Sequence, residues 1–233
     1  MKLKITHIIS LAALFAGSAN AATIVSLGVD TSTGADWRTS TTTKSSAFDP
    51  DGDNIYGSDG YYIGYSALGA ANLNVEQALV DTPAYISGIT GNGNFFASDA
   101  YENIDNPAAS GEINGALYYG TGTKFSFSVT QDTQFLITVL VGDGTSDGVS
   151  SITINQTAGT GSGTATNSGF TLATDSPEYV FFNINAASGD AFDVDIVASS
   201  TQGITGIAFE AIPEPSAALL GGIGMLALLR RRR

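Results

Sequence analysis

Between residues 124 and 211, successive short runs alternate apolar and polar side chains with a period of two, the pattern of half-buried strands that must pair with one another. In residues 124–130, Phe125, Phe127 and Val129 share one face, while Ser126, Ser128 and Thr130 share the other. Residues 134–141 repeat the pattern with Phe135, Ile137, Val139 and Val141. The short link Gln131-Asp132-Thr133 between the two runs predicts a hairpin. Gly142-Asp143-Gly144 then breaks the run. Further strands are predicted over residues 149–156, 178–185, 191–199 and 204–211, with a short one at 170–172 and a Gly/Thr loop at 158–163.

The first half is less regular. Residues 23–29, 61–68 and 84–89 read as strands, and 39–46 as a Ser/Thr loop. The spacing of Leu73, Gln77 and Val80 predicts a short helix over 72–80. Residues 92–114 read mostly as loop. Many short strands with Gly-rich turns define an all-β chain, and the expected fold is a jelly-roll-like β-sandwich of about eight to eleven strands. Clean alternation implies one buried face per sheet, which a sandwich satisfies better than the alternative, an open-edged solenoid.

Both ends carry a different kind of information. Lys2 and Lys4, the apolar run 8–17 and the small residues Ala19-Asn20-Ala21 form a secretory signal peptide, with cleavage expected between Ala21 and Ala22. At the other end, Pro213-Glu214-Pro215 precedes the uncharged stretch 216–229 and then Arg230, Arg231, Arg232 and Arg233. The two prolines fix φ and remove two donors, so the strip 212–215 is expected to be extended. As a helix, 216–229 would reach about 21 Å against a hydrocarbon core of roughly 30 Å. It reads as a short transmembrane helix with its arginines on the cytoplasmic side. The alternative is a short buried helix of a soluble domain.

This tripartite tail resembles the PEP-CTERM sorting signal of exopolysaccharide-producing Gram-negative bacteria. The match covers about a tenth of the chain, and Ile212 stands where the family often has Val. The resemblance implies recognition of Pro213, Glu214 and Pro215 by the membrane enzyme exosortase. It also implies C-terminal cleavage that removes Arg230–Arg233, and transfer from an inner-membrane intermediate to the outer surface or matrix. The chain is thus divided into a signal peptide (1–21), a β-sandwich extracellular domain (22–211) and a sorting signal (212–233).

Without the two signals the charge balance sharpens. Of nine basic residues, Lys2, Lys4 and the four arginines fall in the signals, which leaves 9 − 6 = 3: Arg38, Lys44 and Lys124. Of 22 acidic residues only Glu214 lies beyond Ile212, so residues 22–212 carry 3 − 21 = −18. Nucleic acid, whose phosphates need basic contacts, is excluded as a partner. The chain has no cysteine, and its one histidine, His7, lies in the signal peptide. Ser-His-Asp and Cys-His catalysis and His- or Cys-based zinc sites are therefore excluded for the body. Twelve Phe and nine Tyr within 43% apolar residues are enough to build a core.

Carboxylate chemistry remains open. In Asp49-Pro50-Asp51-Gly52-Asp53-Asn54, Asp49, Asp51 and Asp53 alternate on a tight loop and can converge oxygens on Ca²⁺. The spacing departs from an EF-hand loop at Asn54 and Gly60, so any calcium loop here is of another type. The alternative is a solvated turn. Asp143 and Asp147 form a weaker pair of the same kind. Asp193 and Asp195 share a strand face but are accounted for as its solvent side, and Glu102, Asp105 and Glu112 show no glycosidase pattern. Trp37, Tyr61 and Tyr62 are candidates for stacking on sugar rings, the alternative being that they complete the core. Adjacent on a strand, Tyr61 and Tyr62 must face opposite ways.

The expected function is that of an exported, non-enzymatic structural or adhesive protein of extracellular polysaccharide or biofilm. Signal peptidase and exosortase are its processing partners. A carbohydrate-binding module with a calcium-stabilised loop is the alternative, followed by a carboxylate hydrolase.

Overall fold

A computed structural model describes residues 22–30, 36–38, 43–66, 77–96, 103–142, 148–168, 178–198 and 203–213. The signal peptide expected over residues 1–21 (its expected cleavage partner Ala22 is described), the tail from Glu214 onward, Glu102, Asp143, Asp147 and the strand expected at 170–172 lie outside these residues. Among the described residues the chain forms fifteen strands, and no helix is long and apolar enough to cross a membrane.

In chain order the first five are β1 (Thr23–Asp30), β2 (Gly60–Ser66), β3 (Ala78–Asp81), β4 (Ile86–Gly91) and β5 (Asn94–Phe96). Next come β6 (Asn103–Asp105), β7 (Glu112–Gly115), β8 (Leu117–Tyr119), β9 (Gly122–Val129) and β10 (Thr133–Gly142). The last five are β11 (Val149–Ala158), β12 (Thr164–Ser168), β13 (Glu178–Ala186), β14 (Ala191–Ala198) and β15 (Gly203–Ala211).

They assemble into a six-stranded sheet in the order β1-β13-β10-β15-β8-β5 and a five-stranded sheet in the order β12-β11-β14-β9-β4. A smaller four-stranded sheet runs β3-β2-β7-β6. All strand pairs in these sheets are antiparallel. The two large sheets form a β-sandwich. Phe125, Phe127, Phe192, Val194, Ile152 and Ile154 of one sheet share a core with Phe135, Ile137, Val139, Val180, Phe182 and Phe209 of the other.

The hairpin expected between residues 124–130 and 134–141 does not form. β9 pairs with β14 and β4 in one sheet, and β10 with β13 and β15 in the other. The link therefore carries the chain across the core. Gln131-Asp132 lacks the Asn-Gly or Asp-Gly pair that a two-residue primed turn needs, and two strands with matching apolar faces bury them best from opposite sheets. The link is fastened at both ends: Thr130 N–H donates to Tyr85 O at 2.9 Å, and Ser188 N–H donates to Asp132 Oδ1 at 2.9 Å.

The expectation of one buried face per sheet is also corrected. β9, β11 and β14 alternate as predicted, but β15 is buried at every position from Gly203 to Glu210, and β13 at each of its first five. The outer face of the six-stranded sheet carries Leu140, Tyr179, Phe181 and Ala208, which are covered by a second core. The cover consists of Trp37, Tyr56, Tyr61, Ile63, Ile104 and Ile113, with Phe48 packed against them. Phe48 stacks on Phe181 at 4.1 Å with a 7° interplanar angle, and Tyr56 meets the same ring edge-on at 4.8 Å. The described residues are thus layered as sheet, sheet and a cover built from the four-stranded sheet together with Trp37 and residues 43–57. Period-two alternation detects strands with one wet face and undercounts those buried on both.

Two smaller corrections concern the first half. Residues 78–80 of the expected helix fall instead in β3, paired with β2 through Val80 and Tyr62; residues 72–76 lie outside the described residues. The loop expected over 92–114 contains β5, β6 and β7, the last two joined as a hairpin through Ile104 and Ile113.

Candidate functional site

The acidic loop is a series of aspartates that each hold the backbone just ahead. Asp49 accepts N–H bonds from Gly52 through Oδ1 and from Asn54 through Oδ2, both at 3.0 Å. Asp51 Oδ1 accepts from Asp53 N–H at 3.1 Å, and Asp53 Oδ1 from Ile55 N–H at 2.7 Å. Short acidic side chains favour such turns because they satisfy nearby donors that no ladder reaches. The winding is tight enough to place Asn54 at φ +64°, a left-handed value that Asn tolerates better than most residues. Its Oδ1 accepts Lys44 N–H at 3.2 Å, tying the loop to the preceding segment.

This winding lays Tyr56 into the second core and Gly57 onto β15. There Gly57 N–H donates to Glu210 Oε2 at 3.2 Å. Glu210 is 2% exposed, and its Oε1 is buried with no hydrogen-bond partner among the described residues. Burial, reinforced by the negative charge of Asp51, pushes its carboxyl up to about 8; backbone N–H bonds from Gly57 and Asp51 act in the opposite direction.

Carboxylate oxygens of Asp49, Asp51 and Glu210 lie within 4.8 Å of one another. Asp49 and Glu210 are buried and Asp51 is exposed, so the group sits at the surface end of a buried floor. The site differs from the sequence expectation in one member. Asp53, expected beside Asp49 and Asp51, is not in this group and spends one oxygen on Ile55. Burial and the adjacent Asp51 raise its carboxyl above the ordinary range. Glu210 takes the third place. Its sequence signal was a lone acid in the largely apolar run Ile204–Ala211, but nothing local joined it to a loop more than 150 residues earlier.

The aromatic candidates are corrected outright. Trp37 is 0% exposed, Tyr61 6% and Tyr62 8%, so none offers a face to a sugar. Tyr61 packs in the second core and Tyr62 in the first, opposite ways as required for neighbours on a strand. Trp37 Nε1–H donates to Asp105 O at 3.1 Å, and the Arg38 guanidinium lies 5.2 Å from both the Trp37 and Tyr61 rings. These rings roof the six-stranded sheet.

The three basic residues of the body are all drawn inward. Lys44 is 7% exposed, Lys124 4%, and Arg38 is half-buried. Arg38 Nη1–H donates to Gly57 O at 2.7 Å, and Lys124 Nζ–H to Tyr119 O at 2.9 Å. Burial lowers the proton affinity of each, and nearby carboxylates partly offset this. Asp51, Asp53, Asp59, Asp81, Glu112 and Asp132 are exposed, so the outward charge of the body is acidic.

Asp193 and Asp195 lie half-buried on the outer face of β14. Ser126 Oγ–H donates to Asp193 at 2.7 Å, while Thr123 and Asn155 donate to the two oxygens of Asp195. Each carboxylate thus closes cross-strand bonds. Asp105 is buried beneath Trp37 and Arg38, across the β6–β7 hairpin from Glu112. Of the residues assigned to sorting and cleavage, Ala22 and Pro213 are described. Ala22 is buried against the first core and Pro213 is exposed; Ala21, Glu214, Pro215 and Arg230–Arg233 lie outside the described residues.

No protein-family model matches the chain, and a search among curated proteins returns no relative.

Proposed function

We propose that this chain is an exported, non-enzymatic structural or adhesive protein of the outer surface or extracellular matrix of a polysaccharide-producing Gram-negative bacterium. Signal peptidase removes residues 1–21. The C-terminal signal holds the chain briefly at the inner membrane until exosortase cuts near Pro213-Glu214-Pro215. We also read the sandwich as jelly-roll-like, because β9, β10, β11, β13, β14 and β15 alternate between the two large sheets.

The observation that carries the reading is how the tail leaves the body. β15 lies inside the six-stranded sheet and pairs with β10 from Phe135–Ala211 to Gly142–Gly203. Ile212 N–H still donates to Gln134 O at 2.8 Å, and the next residue, Pro213, is exposed. An exposed proline directly after the last ladder bond gives a membrane protease an extended substrate. It also joins that substrate to an interior strand that resists being peeled away. The acidic exterior suits a hydrated matrix, and an anionic polysaccharide would need a bridging cation to approach it.

Fractionation of cells expressing the full chain or a version ending at Ala211 tests the reading. The full chain is expected at the surface without Arg230–Arg233 by intact mass, and the shortened chain is expected to be missing from that fraction. Equal surface delivery of both overturns the sorting role.

A further inference from the structure

We propose that Asp49, Asp51 and Glu210 bind one Ca²⁺ ion, which clamps the loop 49–57 onto β15. This does not depend on the sorting reading. The first observation is the convergence of three carboxylates from two distant parts of the chain within 4.8 Å. At metal–oxygen distances of roughly 2.3–2.6 Å, oxygens on opposite sides of one Ca²⁺ stand about 4.6–5.2 Å apart, so one ion bridges this set. Mg²⁺, at roughly 2.0–2.1 Å, demands near-ideal octahedral geometry and sheds its waters reluctantly, which an all-carboxylate set of this kind serves less well than it serves Ca²⁺.

The second observation is the burial and hydrogen bonding of Glu210 itself. Glu210 is 2% exposed, Gly57 N–H holds its Oε2 and Asp51 N–H also acts on its carboxyl, yet its Oε1 has no hydrogen-bond partner among the described residues. A buried carboxylate oxygen without a donor is costly, and native proteins rarely leave one so. A cation on the loop side supplies what is missing.

The loop is already arranged for this. The carboxylates of Asp49 and Asp51 are oriented by the N–H groups of Gly52, Asn54 and Asp53. Each oxygen that accepts one such bond keeps a second lone pair for a metal. The donors are all oxygen, which selects a hard cation over zinc or copper. Arg38 spends Nη1 on Gly57 O. With Asp53 alongside, four acidic groups occupy a short arc at the foot of β15.

The test titrates the EGTA-stripped full-length chain with CaCl₂ and, separately, MgCl₂ by isothermal calorimetry, with thermal melts in Ca²⁺ and in EGTA. One saturable Ca²⁺ per chain and a higher Tm in Ca²⁺ than in EGTA are expected, with Mg²⁺ at least tenfold weaker. Glu210→Gln keeps the shape of the buried side chain and should lose at least tenfold in Ca²⁺ affinity. Its Tm in EGTA should equal or exceed that of the wild type. Asp51→Asn changes an exposed side chain and should weaken Ca²⁺ to a similar extent in a folded protein. Absence of saturable heat together with identical melts in Ca²⁺ and EGTA overturns the site. So does unchanged Ca²⁺ binding in both variants, and equal affinity for Mg²⁺ overturns the assignment of calcium.

Discussion

Gly57 rests directly on Ala208: a Cβ at Gly57 would lie 2.3 Å from the Ala208 Cβ and 2.9 Å from the Phe209 nitrogen. Its φ of +63° adds a second demand for glycine. This contact seats the acidic loop on β15. Gly57→Ala should therefore cost on the order of 2–4 kcal/mol in urea unfolding, because backbone as well as side chains must shift. Gly52 is the control: its φ is +78° but no atom of the described residues lies within 4 Å of its absent Cβ. Gly52→Ala should cost only about 1 kcal/mol, from backbone strain alone. Equal losses would mean that the packing of Gly57 on β15 contributes nothing.

Phe181 and Phe182 are neighbours with equal stakes in different cores. Phe182 belongs to the core between the large sheets, and Phe181 to the one beneath the cover. Each is 0% exposed, so Phe181→Ala and Phe182→Ala should each cost about 3–5 kcal/mol. In a simple two-layer sandwich one of the two would face solvent. A loss below about 1 kcal/mol for Phe181→Ala would show that the cover does not hold the outer face of the sheet.

The pH dependence of the metal-free protein should carry the signature of Glu210. Its carboxyl is raised in the folded state to about 8 from an ordinary value of 4.5. A raised carboxyl favours the protonated folded form, so its contribution is fully present below the unfolded value and is lost as pH climbs from about 4.5 to 8. Thermal melts in EGTA should show stability falling across that window, and Glu210→Gln should flatten the fall. A wild-type profile as flat as that of the variant contradicts the assignment.

Asp59 Oδ2 receives the Tyr85 hydroxyl at 2.8 Å and the Ala211 N–H at 2.6 Å. Asp59→Asn weakens both charge-assisted bonds and should cost about 1–2 kcal/mol. Amide exchange at Ala211 and Ile212 should accelerate more than exchange at Ile137 in the middle of β10. Burial and Asp59 also hold the Tyr85 phenol well above its usual range. Stability from the neutral phenol is kept below the ordinary tyrosine value and lost as pH rises beyond about 10. If exchange at the end of β15 is unchanged in the variant, Asp59 does not latch the strand.

With the three basic residues of the body turned inward, the acidic exterior repels itself. Raising NaCl from about 10 mM to 150 mM shortens the screening length from roughly 30 Å to 8 Å and should raise Tm in EGTA. A lower Tm at the higher salt would mean that attractive pairs dominate.

The sequence by itself determined the strands whose two faces meet different surroundings. Phe125, Phe127 and Val129 against Ser126 and Ser128, or Phe192, Val194 and Ile196 against Asp193 and Asp195, announce both the strand and its inward face, because solvent on one side enforces the alternation. It also fixed the acidity of the body and the absence there of histidine and cysteine. Only the tertiary structure decided that Gln131-Asp132 crosses the core, that Trp37 and Tyr61 roof a second one while Tyr62 packs in the first, and that Asp49 and Asp51 meet Glu210 while Asp53 does not. Each of these depends on which distant strand lies next to which. A period of two residues records exposure along one strand and carries no label for the neighbour on the other side.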